Sequence, residues 1–261
     1  MSFLYSLKSF LFFSATLILI SNTTKAYVPS VEGLAKLVST QHGKGAYQIQ
    51  QKIFFSGNKY TLNETWFVNK GVLKLKSSYK NTFIIYSSNK KQVWQDLKYF
   101  ISPIGPYFYQ RFFLSQNSYS FFNAAKKINL YKNKSFSHLL RFNGKPQYVI
   151  NNLSKIYKTK TPVKYGPNII IDNLKFYITQ ILFKTNTFLQ ASNYKKFANN
   201  LWFPKNIQIF FDKQSVTIST IKIKSISAYK FNQVKYKKES KSEFINNKSS
   251  KTLLKFLKNF R

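Results

Sequence analysis

The stretch Tyr194-Lys195-Lys196-Phe197, Leu201-Trp202-Phe203-Pro204 and Asn206-Ile207-Gln208-Ile209-Phe210-Phe211, continued by Val216 to Ile226, decides the fold. After Pro204, the side chains of Ile207, Ile209 and Phe211 fall on one face, the period of a half-buried strand. Pro204 suits the first residue of such a strand, because its ring fixes φ and it has no amide hydrogen to donate. Asp212-Lys213-Gln214-Ser215 is a turn signal. Val216 and Ile218 then start a second strand whose apolar positions change face at Ile221 and Ile223. A β-bulge, one extra residue near Ser219-Thr220, or a break in the strand there accounts for that switch.

Working back through the chain, the same two-residue period recurs. Tyr47, Ile49, Ile53 and Phe55 alternate with Gln48, Gln50, Lys52 and Phe54. Leu62, Glu64, Trp66 and Val68 alternate with Asn63, Thr65, Phe67 and Asn69, and Asn69-Lys70-Gly71 turns tightly into Val72 to Leu75. Thr82 to Tyr86 and Gln92 to Leu97 read as another hairpin. Lys145 to Ile150 opens the second half, and after the turn signal Thr161-Pro162 a strand follows at Asn168 to Asp172, with Leu174 to Phe183 as its partner. Helical spacing is confined to Val31, Leu34, Ala35 and Val38, with Ser30 as a cap, and to Phe112 to Lys127, interrupted from Ser115 to Ser120. The segment Tyr99 to Tyr109 is rich in aromatics and prolines and reads as a loop, either a lid or a plug. About nine or ten strands with few helices make the chain mainly β: a curved antiparallel sheet or incomplete β-barrel with helices on its concave side.

The residues Asn193-Tyr194 with Phe197, Trp202-Phe203-Pro204, Ile207-Gln208-Ile209 and Val216 to Ile226 resemble the end of the outer-membrane lipoprotein-sorting carriers, the LolA/LolB-like family of bacterial envelopes. Glu64-Thr65-Trp66 is similar to the Glu-x-Trp that opens that family's early hairpin. Read without the family, Glu64 is a solvent-facing strand residue paired with a lysine, and Trp66 belongs to a core or a cavity wall. The resemblance implies a LolA-like incomplete barrel and a periplasmic, chaperone-like carrier of lipid or lipoprotein acyl chains in a Gram-negative envelope. Its partners would be inner- or outer-membrane lipoprotein transport components. The family also implies an arginine that holds the closed state. Arg111 and Arg141 are the internal candidates, and neither sits in a matching motif.

Met1 to Ala26 has the layout of a secretory signal peptide: Lys8, the apolar run Phe10 to Ile20, and the small-residue exit Thr24-Lys25-Ala26. The run is shorter than the ~20 residues of a spanning helix. The expected division is residues 1–26 as signal, 27–234 as one β-rich domain, and 235–261 as a basic tail. No cysteine follows the signal to take an acyl anchor, which favours the LolA-like carrier over the LolB-like receptor. With no cysteine anywhere, disulfides, thiolate metal sites and thiol nucleophiles are excluded together.

The 42 basic residues against 7 acidic ones give a net charge of +35, and loss of Lys8 and Lys25 with the signal leaves +33. Such a balance either draws a protein to anionic membranes, acidic polymers or nucleic acid, or reflects solubility and the compositional drift of an AT-rich genome, which the high Lys, Asn, Ile, Phe and Tyr content also fits. The export signal and a basic inventory that is nearly all lysine argue against nucleic acid, since arginine is the residue that reads phosphate and guanine bidentately. The tail carries Leu253, Phe256, Leu257 and Phe260 at i, i+3, i+4 and i+7 beside Lys251, Lys255 and Lys258. This short basic amphipathic helix would either contact a membrane through Leu253, Lys255, Phe256, Leu257, Lys258 and Phe260 or cap the barrel.

His42 and His138 are far apart and Asp96, Asp172 and Asp212 stand at turns or strand ends, so no metal or cofactor site and no catalytic constellation is read, and an enzyme is not expected. The residues expected to wall an acyl-chain cavity are Tyr47, Ile49, Trp66, Trp94, Phe176, Ile178, Trp202 and Phe203 in a protein expected to be a monomer. A different class of protein, an envelope module without a cavity that binds anionic membrane or polymer through its lysines, is the alternative.

Overall fold

The structure is a computed structural model, which describes residues 28–57, 61–87, 89–130, 134–142, 144–152, 166–184, 186–237 and 251–261. The signal-peptide reading of Met1 to Ala26, the Thr161-Pro162 turn and most of the linker before the last helix lie outside those residues.

Thirteen strands form one antiparallel sheet. In chain order they are β1 (Ala46–Phe55), β2 (Thr61–Asn69), β3 (Val72–Ser77), β4 (Thr82–Tyr86), β5 (Lys90–Gln95), β6 (Lys98–Pro103), β7 (Phe136–Phe142), β8 (Lys145–Asn151), β9 (Asn168–Asp172), β10 (Ile178–Lys184), β11 (Thr187–Lys196), β12 (Trp202–Phe211) and β13 (Gln214–Ile226). Strands β1 to β6 are laid down one beside the next, as are β7 to β13, and the two runs join where β13 pairs with β1. Strands β6 and β7 are the two free edges, so the sheet is not closed into a barrel.

Local chemistry explains the hairpins. Lys70-Gly71, Asp96-Leu97 and Asp212-Lys213 are two-residue connections in which both residues have positive φ. That is the type I′ turn whose twist matches antiparallel strands. The expected bulge is present on β13: the register passes from Gln50 opposite Lys222 to Gln51 opposite Thr220, which leaves Ile221 unpaired and 64% exposed. Its effect is to return Ile223 to the face of Ile218, so that Ile49 pairs with Ile223 and Ile53 with Ile218 in one continuous apolar surface.

Three sequence expectations need correction. The strands number thirteen because three segments were not read as strands at all: β7, β11, and β6 within the aromatic and proline-rich segment. Pro103 is tolerated at the end of β6 because that strand is an edge. The remainder of that segment is a plug, with Phe108 and Tyr109 buried in the core. The partner of β9 begins at Ile178, not Leu174, because Phe176 has φ +56° within the intervening turn.

Helices α1 (Val31–Thr40), α2 (Gln110–Leu114) and α3 (Ser118–Lys127) cover one face of the sheet through Leu34, Val38, Phe112, Phe113 and Phe121, which share a single core with the inward strand residues. The Ser30 hydroxyl caps α1 by accepting from the Gly33 amide at 3.1 Å. Helix α4 (Ala228–Gln233) lies on the opposite face, where Phe231 joins Ala46 and Phe67 in a small separate cluster. The expectation of helices on the concave side therefore holds for all but α4. Helix α5 (Lys251–Phe260) returns to the concave core.

His42 fastens α1 to the α2–α3 connection. Its Nδ1 lies 2.6 Å from the Ser115 carbonyl oxygen, which can only accept, so the ring carries a proton there. Burial pushes its pKa down to about 4, the bond to Ser115 opposing in part. The folded state thus binds fewer protons than the unfolded one between the unfolded pKa of ~6.5 and about 4, and its stability falls as pH falls through that window. We expect denaturant melts to show a loss of about 3 kcal/mol across the window that His42→Gln abolishes. An unchanged pH profile in the variant would exclude the assignment.

Candidate functional site: an apolar groove filled by the last helix

Strand alternation turns Leu62, Glu64, Trp66 and Val68 of β2 and Ile49, Gln51 and Ile53 of β1 toward the concave face, and all are buried. Helix α5 lies against this surface. Phe256 meets Phe55 edge-on at 5.6 Å, and Phe260 packs at 5.2 Å on Phe211 and 5.6 Å on Tyr107. Leu253, Phe256 and Phe260 are buried, each a side chain whose removal from water is worth ~1.5–3 kcal/mol. The loop after β6 clasps the end of the helix: the Tyr107 amide donates to the Asn259 carbonyl at 2.9 Å and the Gly105 amide to the Arg261 carbonyl at 3.1 Å. Between α5 and strands β3 to β6 a cavity of about 250 Å³ remains, bordered by Leu75, Ile84, Val93, Leu254 and Leu257.

One ion pair anchors the helix. Arg261 donates from Nε and Nη2 to the Glu64 carboxylate at 2.9 Å each, with both side chains essentially removed from solvent. Trp66 Nε1 donates to the same carboxylate at 3.1 Å, and Arg261 Nη2 donates to the Tyr109 hydroxyl at 3.2 Å. The guanidinium also sits 4.5 Å from the centre of the Phe256 ring and 5.2 Å from that of Trp66, so its faces are covered by aromatic rings. Burial is the largest influence and works against its charge, but Glu64, Tyr109 and Tyr86 together outweigh burial and hold the guanidinium pKa above its ordinary value. Burial likewise pushes the Tyr109 phenol up to about 12, with Arg261 pulling it back. From Tyr109 a buried polar chain continues: Gln110 donates to the Tyr109 hydroxyl at 3.2 Å and to Gln51 at 3.4 Å, Gln51 to Thr220 at 3.3 Å, and Thr220 to the Pro204 carbonyl at 2.9 Å.

Of the expected wall residues, Tyr47, Ile49, Trp66, Ile178 and Phe203 are buried in the main core. Trp94 instead lies on the other face from Val93, between Phe83 at 5.6 Å and Tyr99 at 5.0 Å. Phe176 stacks on Tyr148 in the β9–β10 turn region, and Trp202 packs on Tyr177 at 5.2 Å. The reading of Glu64 as a solvent-facing partner of lysine is replaced by a buried pairing with arginine. Leu253, Phe256 and Phe260, expected either at a membrane or as a cap, point into the core, with Leu257 packed against it. Lys255 makes a surface ion pair with Asp212 at 2.9 Å. Contact of those apolar side chains with a membrane would therefore require α5 to undock. Arg111 and Arg141 do not occupy the anchoring position; Arg261 does. The signal for it was Glu64 itself, an acid placed at alternate positions between Leu62 and Trp66, which needs a buried cation.

Among the described residues there is no group of three or more metal-ligating side chains, and no helix is long and apolar enough to cross a membrane.

Comparison with solved structures places this architecture. The sheet with its covering helices is similar in fold to solved structures of an outer-membrane lipoprotein-sorting protein domain and of a LolA superfamily protein. The chain matches an outer membrane lipoprotein-sorting protein domain from Vibrio parahaemolyticus with a TM-score of 0.51 at 12% identity, covering 77% of this chain and 95% of that one. A LolA superfamily protein from Nitrosomonas europaea matches with a TM-score of 0.52 at 8% identity and the same coverage. A DUF1329 family protein from Desulfovibrio piger gives 0.51 at 10% identity, again over 77% of this chain and 95% of that one. No family model and no curated protein matches the sequence. At these identities the likeness is one of fold, and cargo is argued from the groove.

Proposed function

We propose that this chain is a non-enzymatic carrier of the bacterial periplasm that shelters acyl chains of a lipid or lipoprotein in its concave groove. The observation that carries this reading is the nature of what fills the groove. A ten-residue amphipathic helix, holding Leu253, Phe256 and Phe260 against the sheet, occupies the surface that acyl chains would take. An apolar seat whose occupant can leave without unravelling the sheet suits a carrier, because acyl chains moved through water cost ~0.8 kcal/mol per methylene and a lined groove recovers that cost. The lysine-rich exterior would draw the carrier toward anionic headgroups of the membranes it serves.

The test is native mass spectrometry of the exported protein, followed by lipid extraction. Co-purified acyl lipid, and displacement of a fluorescent fatty acid by it, supports the carrier. A clean apo mass with no fatty-acid uptake by either the parent or a groove-opened variant moves the assignment to the second reading, an envelope module that binds anionic membrane or polymer through its lysines. That reading has its own support in the buried Glu64–Arg261 pair, which makes the groove a finished core.

A further inference from the structure

A second cavity lies apart from the groove. It has a volume of about 690 Å³ and opens beside it, between the β2–β3 turn, the end of β4, and helices α2 and α3. Four cationic side chains line it, Lys70, Arg111, Lys126 and Lys127, with the Asn123 amide among them and no carboxylate. They come from three separate elements, so their convergence is a product of the fold and not of a run of lysines in sequence. Crowding is evident at Lys127, whose pKa is lowered to about 8, by desolvation first and then by the Arg111 charge. Arg111 is steadied by a bond to the Ser87 carbonyl and by the Phe108 ring, 5.8 Å from its guanidinium carbon. Tyr86 borders the same cavity, and its buried hydroxyl has no hydrogen-bond partner among the described residues. Its ring stacks on Phe108 at 4.5 Å and on Trp66 at 5.6 Å, and the Trp66 ring in turn lies against the Arg261 guanidinium.

We propose that this cavity binds a phosphate-bearing group, with Arg111, Lys126 and Lys127 as its charge partners. A guanidinium and ammonium groups converging on one hollow give the charge-assisted bonds that hold phosphate oxygens. The group is either a free phosphate or the headgroup of an amphiphile whose chains enter the neighbouring groove. The second source rests on the carrier reading, whereas anion binding itself does not.

The experiment is calorimetric titration of the full chain with inorganic phosphate and with dihexanoyl phosphatidic acid, using dihexanoylglycerol as a chargeless probe. Because the whole protein is strongly basic, the comparison is between two variants of equal charge: Lys126→Gln with Lys127→Gln in the cavity, and Lys222→Gln with Lys224→Gln on the exposed face of β13. The cavity pair is expected to weaken phosphate binding by about tenfold or more and the β13 pair by less than about twofold. Phosphatidic acid bound about tenfold more tightly than inorganic phosphate assigns the site to a lipid headgroup, and equal affinities assign it to free phosphate. Equal losses in the two lysine pairs, or no binding by the parent, would overturn the proposal. Phosphate binding that persists while fatty-acid uptake fails would separate this site from the carrier reading.

Discussion

Arg261→Met is expected to release α5 from the groove while leaving the thirteen-stranded sheet folded. The substitution keeps an apolar stem of similar length but strands the Glu64 carboxylate without its cation, and breaking a buried ion pair from one side costs about 3–5 kcal/mol. The structure has an escape that caps the loss: when α5 undocks, Glu64 regains water, so the damage cannot exceed the free energy of docking. Amide hydrogen exchange should therefore report the change locally. Protection over residues 253–260 should fall by roughly two to four orders of magnitude while that of β1, β2 and β13 is retained. Adding Glu64→Gln should restore most of it, because the amide oxygen still accepts from Trp66 and no buried charge remains. Uniform loss of protection across the sheet in the single variant would mean that α5 is part of one cooperative core.

Gly105→Ala should open the same groove from the other side. A β-carbon there would stand 2.6 Å from the Asn259 carbonyl carbon and 2.9 Å from the Lys258 oxygen, while its closest contact is the Asn259 oxygen. These are backbone atoms of the helix and cannot rotate aside. An overlap of this kind costs about 1–3 kcal/mol, which multiplies the fraction of molecules with an open groove by roughly 5- to 150-fold. Apparent affinity for a fluorescent fatty acid should rise by the same factor until the groove is mostly open. A variant that melts earlier but takes up no more fatty acid than the parent would argue for a groove that serves only as core.

The sequence made the hairpins β2–β3 and β12–β13 legible, because period-two alternation and the two-residue turns at Lys70-Gly71 and Asp212-Lys213 are local signals. It also made the β13 bulge legible, since a change of face within one strand has few other causes. Strand β7 was missed for a physical reason: at a sheet edge, Phe136 to Phe142 are half-buried or exposed without a clean alternation. Strand β6 was obscured by aromatics that an edge leaves in solvent, among them Tyr99 and Phe100. For the site, the apolar wall at Tyr47, Ile49 and Trp66 could be read from β1 and β2 alone. The anchor could not, because Glu64 and Arg261 lie near opposite ends of the chain, and an arginine in a basic tail looks solvated until the fold brings its acid to it. Trp94 and Trp202 show the complementary error: a large aromatic on a strand announces burial without saying on which face.

The pairing of β1 with β13 bears on how the molecule is assembled. Each half of the sheet is a meander of neighbours in sequence, so its contacts close short loops, whereas the seam joins Ala46 to Ile226 and Phe55 to Val216 across nearly the whole domain. Loop-closure entropy makes such a distant contact slow to form relative to hairpins. The two meanders should collapse early as independent units, and the seam should close last. Until then both β1 and β13 are bare edges, so the chain is most exposed to strand-mediated association in the interval between hairpin formation and seam closure.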